Sequence, residues 1–177
     1  MAKIILNLAT SVDGFISDEN GGVDWLDGFN AEDYGMIEFF EQCGTAVMGS
    51  KTYEQALAFN SWFGKMEGLV FTSRQLPPFK NEVINFFNGD PTPVVDELRK
   101  KEKDSWLVGG GKLITSFIDL HLLDELIITI VPRLLGKGLA LCPSIKEVST
   151  LQLLDSKTYK DGVVQVKYTL LSTSPHQ

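Results

Sequence analysis

Apolar residues fall along this chain in short runs, with helical stripes between them. Residues 3–9 form a nearly continuous apolar run, the pattern of a strand buried on both faces. A turn over residues 11–14 and a short return over 15–17 follow it. Residues 45–48, 69–72 and 106–108 read as further buried strands, and 83–86 as a shorter one. Residues 126–131 are the strongest β-branched run and predict a central strand, which Pro132 ends. Helices are predicted over 30–41, about 53–59 and 92–103, and after the glycines at 109–111. The last of these carries Leu113, Ile114, Phe117 and Ile118 on one stripe. Residues 151–156 and 163–171 read as two antiparallel strands joined by the Asp161-Gly162 turn. Strands alternating with helices and closed by a hairpin make an α/β domain with a mixed, mostly parallel sheet. Residues 134–138 read as a loop. The polar stretch 18–28, with Trp25 and Leu26 embedded, is either a flap that packs on a ligand or an ordinary anchored connection.

Composition narrows the function classes. With 177 residues and 44% hydrophobic content, residues 1–171 are read as one domain and 172–177 as a frayed tail. The net charge is −7 and no basic cluster stands out, which disfavours nucleic acid and anionic membranes as partners. The two cysteines, Cys43 and Cys142, are far apart and form no C-x-x-C, which suits free thiols in the cytoplasm. There is no apolar run of transmembrane length, and no zinc-deaminase motif or other metal-ligand pattern.

Three strand ends carry residues suited to an anion. Gly109, Gly110 and Gly111, followed by Lys112 and Leu113, join a strand to a helix, as do Gly49, Ser50, Lys51 and Thr52. Glycine lets backbone approach a ligand, and a helix start offers unpaired N–H groups and a positive dipole end. Ser73 and Arg74 end a third strand, and an arginine there can clamp a phosphate. Each junction alone also reads as a plain turn, a capped helix or a surface arginine. Together, on one sheet edge, they point to a dinucleotide. Asp33 is predicted at the third position of a helix capped by Asn30, on the face of Met36, Ile37 and Phe40. A carboxylate there suits proton donation or substrate anchoring, or it closes a capping box with Asn30.

The stretches LATSVDGFI (8–16), AVMGSKTYE (46–54), FTSR (71–74), LVGGGKL (107–113) and the strand following Asp124-Glu125 occur in the order of a known family. The chain resembles the dihydrofolate reductase-like superfamily, in particular the reductase domain of bifunctional riboflavin-biosynthesis proteins. That resemblance covers nearly the whole chain and implies a three-layer α/β/α fold, an NADPH cofactor and a homodimer. It implies that Gly109, Gly110 and Gly111 approach the pyrophosphate, two of them often through a cis peptide. Thr52 would face the phosphates, Ser73 and Arg74 the adenosine 2′-phosphate, and Ala9 and Ile16 the nicotinamide. Ser50 departs from the family, which usually has Arg there. Asp33 matches the substrate-binding acid of dihydrofolate reductase and Thr129 the strand threonine that helps hold it. The implied activity is reduction of a small pterin- or pyrimidine-like heterocycle, in the manner of 5-amino-6-(5-phosphoribosylamino)uracil reductase. Dihydrofolate reduction and a non-catalytic NADP-binding dimer are the alternatives. Arg133 is the one candidate for holding an anionic substrate tail.

Overall fold

A computed structural model describes residues 1–29 and 32–171. The expected cap Asn30 and the tail at 172–177 lie outside the described residues. The elements run β1 (Ile4–Ser11), β2 (Phe15–Ser17), a 3-10 turn (Asp24–Leu26), α1 (Met36–Gln42), β3 (Cys43–Gly49), α2 (Ser50–Phe59), β4 (Glu67–Phe71), β5 (Ile84–Phe87), α3 (Thr92–Leu98), β6 (Asp104–Gly109), α4 (Gly111–Asp119), β7 (Glu125–Val131), β8 (Leu139–Ala140), β9 (Leu151–Thr158) and β10 (Val164–Leu170).

Eight strands form one sheet in the order β5-β4-β3-β6-β1-β7-β10-β9. The first six are parallel, and β10 turns antiparallel against both β7 and β9. Alternate side chains along each central strand feed opposite faces. Ile4, Leu6, Val47, Leu69 and Leu107 pack under α3 and α4 with Val95, Ile114 and Phe117. Ile5, Ala46, Met48, Val70 and Trp106 pack under α1 and α2 with Phe39, Tyr53 and Ala56. The result is the three-layer α/β/α arrangement with a C-terminal hairpin. Trp106 anchors the second layer, meeting the rings of Phe39 and Phe63 edge-on at 5.7 and 5.2 Å between centroids, while its indole N–H donates to the Asn7 carbonyl at 2.8 Å.

The connections explain the layering. The route from β3 to β4 moves outward along the sheet, and the route from β6 to β7 moves back across β1. Parallel crossovers keep one hand, so reversing the direction puts the connecting helix on the other face. Thus α2 covers one face and α4 the opposite one, although their parent strands β3 and β6 are neighbours.

Several elements differ from expectation. The first helix starts at Met36, because Tyr34 and Gly35 both take left-handed φ of 51° and 77° that no right-handed helix contains. Its buried residue is Phe39, while Ile37 is 67% exposed, so the inward stripe is rotated from the predicted one. The second helix begins at Ser50, directly after the strand, which draws Ser50, Lys51 and Thr52 into its first turn. The third stops at Leu98, its end tightened by short turns from Lys100 to Glu97 and from Lys101 to Leu98. The predicted loop after residue 134 leads into the two-residue β8, which pairs with β2 in a separate small sheet. Gly138 permits that approach, since a Cβ there would lie 2.1 Å from the Ser17 carbonyl oxygen.

Phe117 is fully buried between α4 and the sheet. Phe117→Ala should cost about 3–5 kcal/mol of unfolding free energy, measured by urea denaturation.

Candidate active site

The carboxyl ends of β3 and β6 lie side by side, with Met48 in register with Gly109. From this seam α2 and α4 depart to opposite faces, so two helix N-termini open on one edge. Neither has a side-chain cap: α2 follows extended Gly49, and α4 follows Gly110. Their first N–H groups are therefore open to an external acceptor. Gly109 and Gly110 take φ of 144° and 91°, and a Cβ on Gly110 would sit 3.7 Å from Thr52 Oγ1. The glycine backbone of one junction thus lies against the threonine of the other. All peptides among the described residues are trans, the glycine pairs included, in contrast to the cis bond implied by resemblance. Ser50, Thr52 and Leu113 are half-buried at this edge, whereas Lys51 and Lys112 are exposed.

Ser73 and Arg74 follow β4 along the same edge, and both are exposed. Thr72 Oγ1 accepts from the Arg74 amide at 3.0 Å, which fixes the turn. The Arg74 guanidinium grips Glu54 of α2 through two bonds of 3.0 and 2.9 Å. That hydrogen-bonded pair raises the guanidinium pKa above its ordinary value and lowers that of Glu54. Arg74 therefore reaches a phosphate only by exchanging this partner.

Ala9 and Thr129 face the α1–α2 side of β1 and β7 in register with each other. Thr129 is buried, and its Oγ1 accepts from Gln165 Nε2 of β10 at 2.9 Å. The same amide nitrogen donates to the Tyr34 carbonyl at 3.1 Å. Thr129 thus holds Gln165, and Gln165 holds the residue next to Asp33; no hydrogen bond joins Thr129 and Asp33 among the described residues. Asp33 itself is exposed and lies before α1, where its carboxylate accepts from the Ile37 amide at 3.3 Å. The expected helical, core-facing position of this acid is corrected accordingly.

The Tyr34 ring stands edge-on to Tyr159 at 4.9 Å, and its hydroxyl donates to Asp161 at the tip of the β9–β10 hairpin. This bond and the neighbouring negative charge push the Tyr34 hydroxyl up to about 12. The stretch 18–28 does pack on the body. Trp25 is 8% exposed in a cluster with Ala9, Tyr34, Val131, Tyr159 and Val163. Its indole N–H has no hydrogen-bond partner among the described residues. Gln55 of α2 also donates to the Gly21 carbonyl at 2.9 Å. Ile16, half-buried on β2, completes this side. Arg133 turns onto the flap: its guanidinium lies 5.1 Å from the Phe29 ring centre and donates to the Asp27 carbonyl at 3.0 Å.

Gln165, Tyr34 and Asp161 are the residues that sequence patterning passed over. The one available signal was Gln165, a polar residue standing in an alternating strand. On the opposite edge a cavity of about 440 Å³ lies among Lys3, His121, Asp124 and Glu125. Glu125 is buried there between Lys3 at 2.6 Å and Lys167 at 2.8 Å. Burial pushes its carboxyl up, and the two ammonium partners more than offset this, leaving it below its ordinary value. Those pairs account for its charge.

The family model of the RibD C-terminal domain matches residues 57–165. YyaP, an uncharacterized protein of Bacillus subtilis (strain 168), is 34% identical over 181 aligned residues, spanning 94% of this chain and 94% of its own. Among solved structures, a Shewanella sp. PV-4 protein provisionally assigned to riboflavin biosynthesis superposes with a TM-score of 0.86 at 27% identity, covering 96% of this chain and 99% of that one. The dihydrofolate reductase of Enterococcus faecalis, complexed with NADP(H), shares the fold with a TM-score of 0.65 at 16% identity, over 96% of this chain and 97% of its own.

The rim of the cleft is tied by Asp13, whose carboxylate accepts from the Leu135 and Gly136 amides at 3.1 and 2.7 Å. A hydrogen bond from Ser11, with these amides, lowers its pKa from the ordinary 3.8 to about 2. A depressed folded-state value contributes stability above about pH 4 that is lost as the pH falls through 2. The melting temperature of Asp13→Asn should therefore lie below that of the parent at pH 7, and the two should converge near pH 2.

Proposed function

The chain belongs to the RibD C-terminal domain family, and on that premise we propose that it is an NADPH-dependent reductase of a small pterin- or pyrimidine-like heterocycle. The observation that carries this reading is the meeting of two uncapped helix N-termini across a glycine seam. A dinucleotide places two linked phosphates where such a seam places two sets of free N–H donors. The residues present fit it: Gly49, Gly109, Gly110 and Gly111 leave room for close approach, and Ser50, Thr52 and the first-turn amides supply donors. Lys51 and Lys112 add positive charge, and Leu113 lines the edge beneath. Ser73 and Arg74 contact the adenosine 2′-phosphate once Arg74 exchanges Glu54. Ala9 and Ile16 flank the nicotinamide.

The cofactor, when bound, supplies the hydride. Asp33 hydrogen-bonds an N–H edge of the heterocycle and hands on the proton that accompanies it. Thr129 and Gln165 hold the Tyr34 carbonyl, and with it the segment that carries Asp33. Trp25 and the flap keep water from the reacting ring. We place the protein in the cytoplasm as a homodimer. The sheet edge supports self-association, since Leu153 and Leu154 of β9 stay 53% and 47% exposed.

No helix among the described residues is long and apolar enough to cross a membrane. Titration of the purified protein with NADPH and NADH tests the cofactor assignment. At a hundredfold excess over its dissociation constant, NADPH should stabilise the fold by about 2.7 kcal/mol and raise the melting temperature by about 5–10 °C. Gly110→Ala should weaken NADPH at least about tenfold, because its Cβ forces a strained φ and narrows the seam. Absence of any shift with both nucleotides would overturn the assignment.

Asp33→Asn should lower the rate of NADPH oxidation by about 10²-fold or more while leaving NADPH affinity within about twofold. A variant with unchanged turnover would remove Asp33 from the chemistry.

A further inference from the structure

Glu54 and Arg74 bridge two of the strand ends that make up the candidate cofactor edge. Arg74 follows β4, and Glu54 sits on α2 one turn past its uncapped N-terminus. The Arg74 amide donates to Thr72 Oγ1 at 3.0 Å, and the Thr72 amide donates to the Phe87 carbonyl at 2.9 Å. The arginine backbone is therefore pinned to the sheet, and only its side chain is free to change partner. Nη1 donates to Glu54 Oε1 at 3.0 Å and Nη2 to Oε2 at 2.9 Å. This is the end-on fork, two parallel donors matched to two oxygens, and a phosphate is suited to the same fork.

Two further features say how firmly the fork is held. The pair is exposed, with 53% of the Arg74 side chain and 42% of the Glu54 side chain accessible. Ion pairs in water are weak, so the exchange is opposed by a few-fold and not blocked. Lys51 stands three residues before Glu54 on the same helix, where side chains are neighbours. The hydrogen bond from Arg74, helped by the charges of Arg74 and Lys51, holds the Glu54 carboxyl below its ordinary value. Lys51 is thus a ready partner for the carboxylate once Arg74 leaves it. Ser50, the first residue of α2, brings a hydroxyl and no charge, which leaves Lys51 and Arg74 as the cations of these two strand ends.

Resting on the reductase reading above, we infer that Glu54 is a specificity-determining residue of the cofactor site: it competes with the adenosine 2′-phosphate for the Arg74 fork and so lowers the preference for NADPH over NADH. A 2′-phosphate has to take the fork from a bidentate partner. A ribose 2′-hydroxyl is neutral and leaves the pair intact. The carboxylate therefore weakens NADPH and spares NADH. Glu54 touches no reacting atom and acts through Arg74, as a positioning residue.

The test measures dissociation constants of NADPH and NADH for the full chain by nucleotide fluorescence, and reads the ratio of the two. NADH uses the same glycine seam and serves as the internal control. Glu54→Gln should raise the preference for NADPH by about fivefold, through tighter NADPH, with NADH within about twofold of the parent. Arg74→Ala should bring the two affinities within about twofold of each other. Adding Glu54→Gln to Arg74→Ala should then move the ratio by no more than about twofold, because the residue through which Glu54 acts is gone. A ratio unchanged in Glu54→Gln overturns the inference. An equal change for both nucleotides also overturns it, since that marks a merely structural role. So does a double variant whose ratio rises as far above that of Arg74→Ala as Glu54→Gln rises above the parent. Failure of the parent to bind either nucleotide is a different result and overturns the reductase reading itself.

Discussion

The arrangement of β3 beside β6 is the constraint from which the rest follows. Two parallel neighbours whose chains leave in opposite directions must send their helices to opposite faces, because the crossover hand is fixed. Between the departing helices a crevice is left at the carboxyl edge, with an N-terminus on either side. A Cβ on Gly110 would stand 3.7 Å from Thr52 Oγ1, an ordinary contact, so it is the positive φ of Gly109 and Gly110 that favours glycine at this seam. Sheet order, layer assignment and the meeting of two uncapped helix N-termini on one edge are one consequence of a single topological fact.

The region of Thr129 and Tyr34 is held by a different means: a side-chain amide bridges two elements. Gln165 reaches from β10 to Thr129 on β7 and to the carbonyl of Tyr34, which is itself held in a left-handed conformation. The terminal hairpin therefore extends the sheet and also fixes the loop before α1, with Tyr159 and Asp161 at its tip against Tyr34. A residue far along the chain in this way sets where Asp33 stands. The flap contributes packing through Trp25, and Arg133 binds it from the other side through Phe29 and Asp27.

Periodicity and punctuation exposed the main β-strands and the helices, because each apolar run or stripe reports burial on its own element. Gly110 was legible for the same reason, since glycine at a strand end states a local backbone need, here a φ of 91°. What stayed hidden depends on tertiary partners. The left-handed pair Tyr34 and Gly35 delays the first helix, and neither residue's neighbours announce it. The pairing of β8 with β2 rests on two residues and on space at Gly138. Arg74 reads as an open cation until Glu54 is seen beside it. Gln165 looks like an ordinary polar position of an amphipathic strand until its two partners, separated from it by more than thirty and more than a hundred residues, are brought together.

A chain with a net charge of −7 raises the question of how it could hold the anionic cofactor proposed for it. The seam answers it through range. Helix N-termini act within about one turn, through directed N–H groups and a partial positive charge, so they need little net positive charge around them. Surface carboxylates act over about 8 Å at physiological ionic strength and without direction. On the proposed reading, phosphates seated against the first turns of α2 and α4 would meet backbone donors at contact distance, where directed N–H groups outweigh a diffuse negative charge.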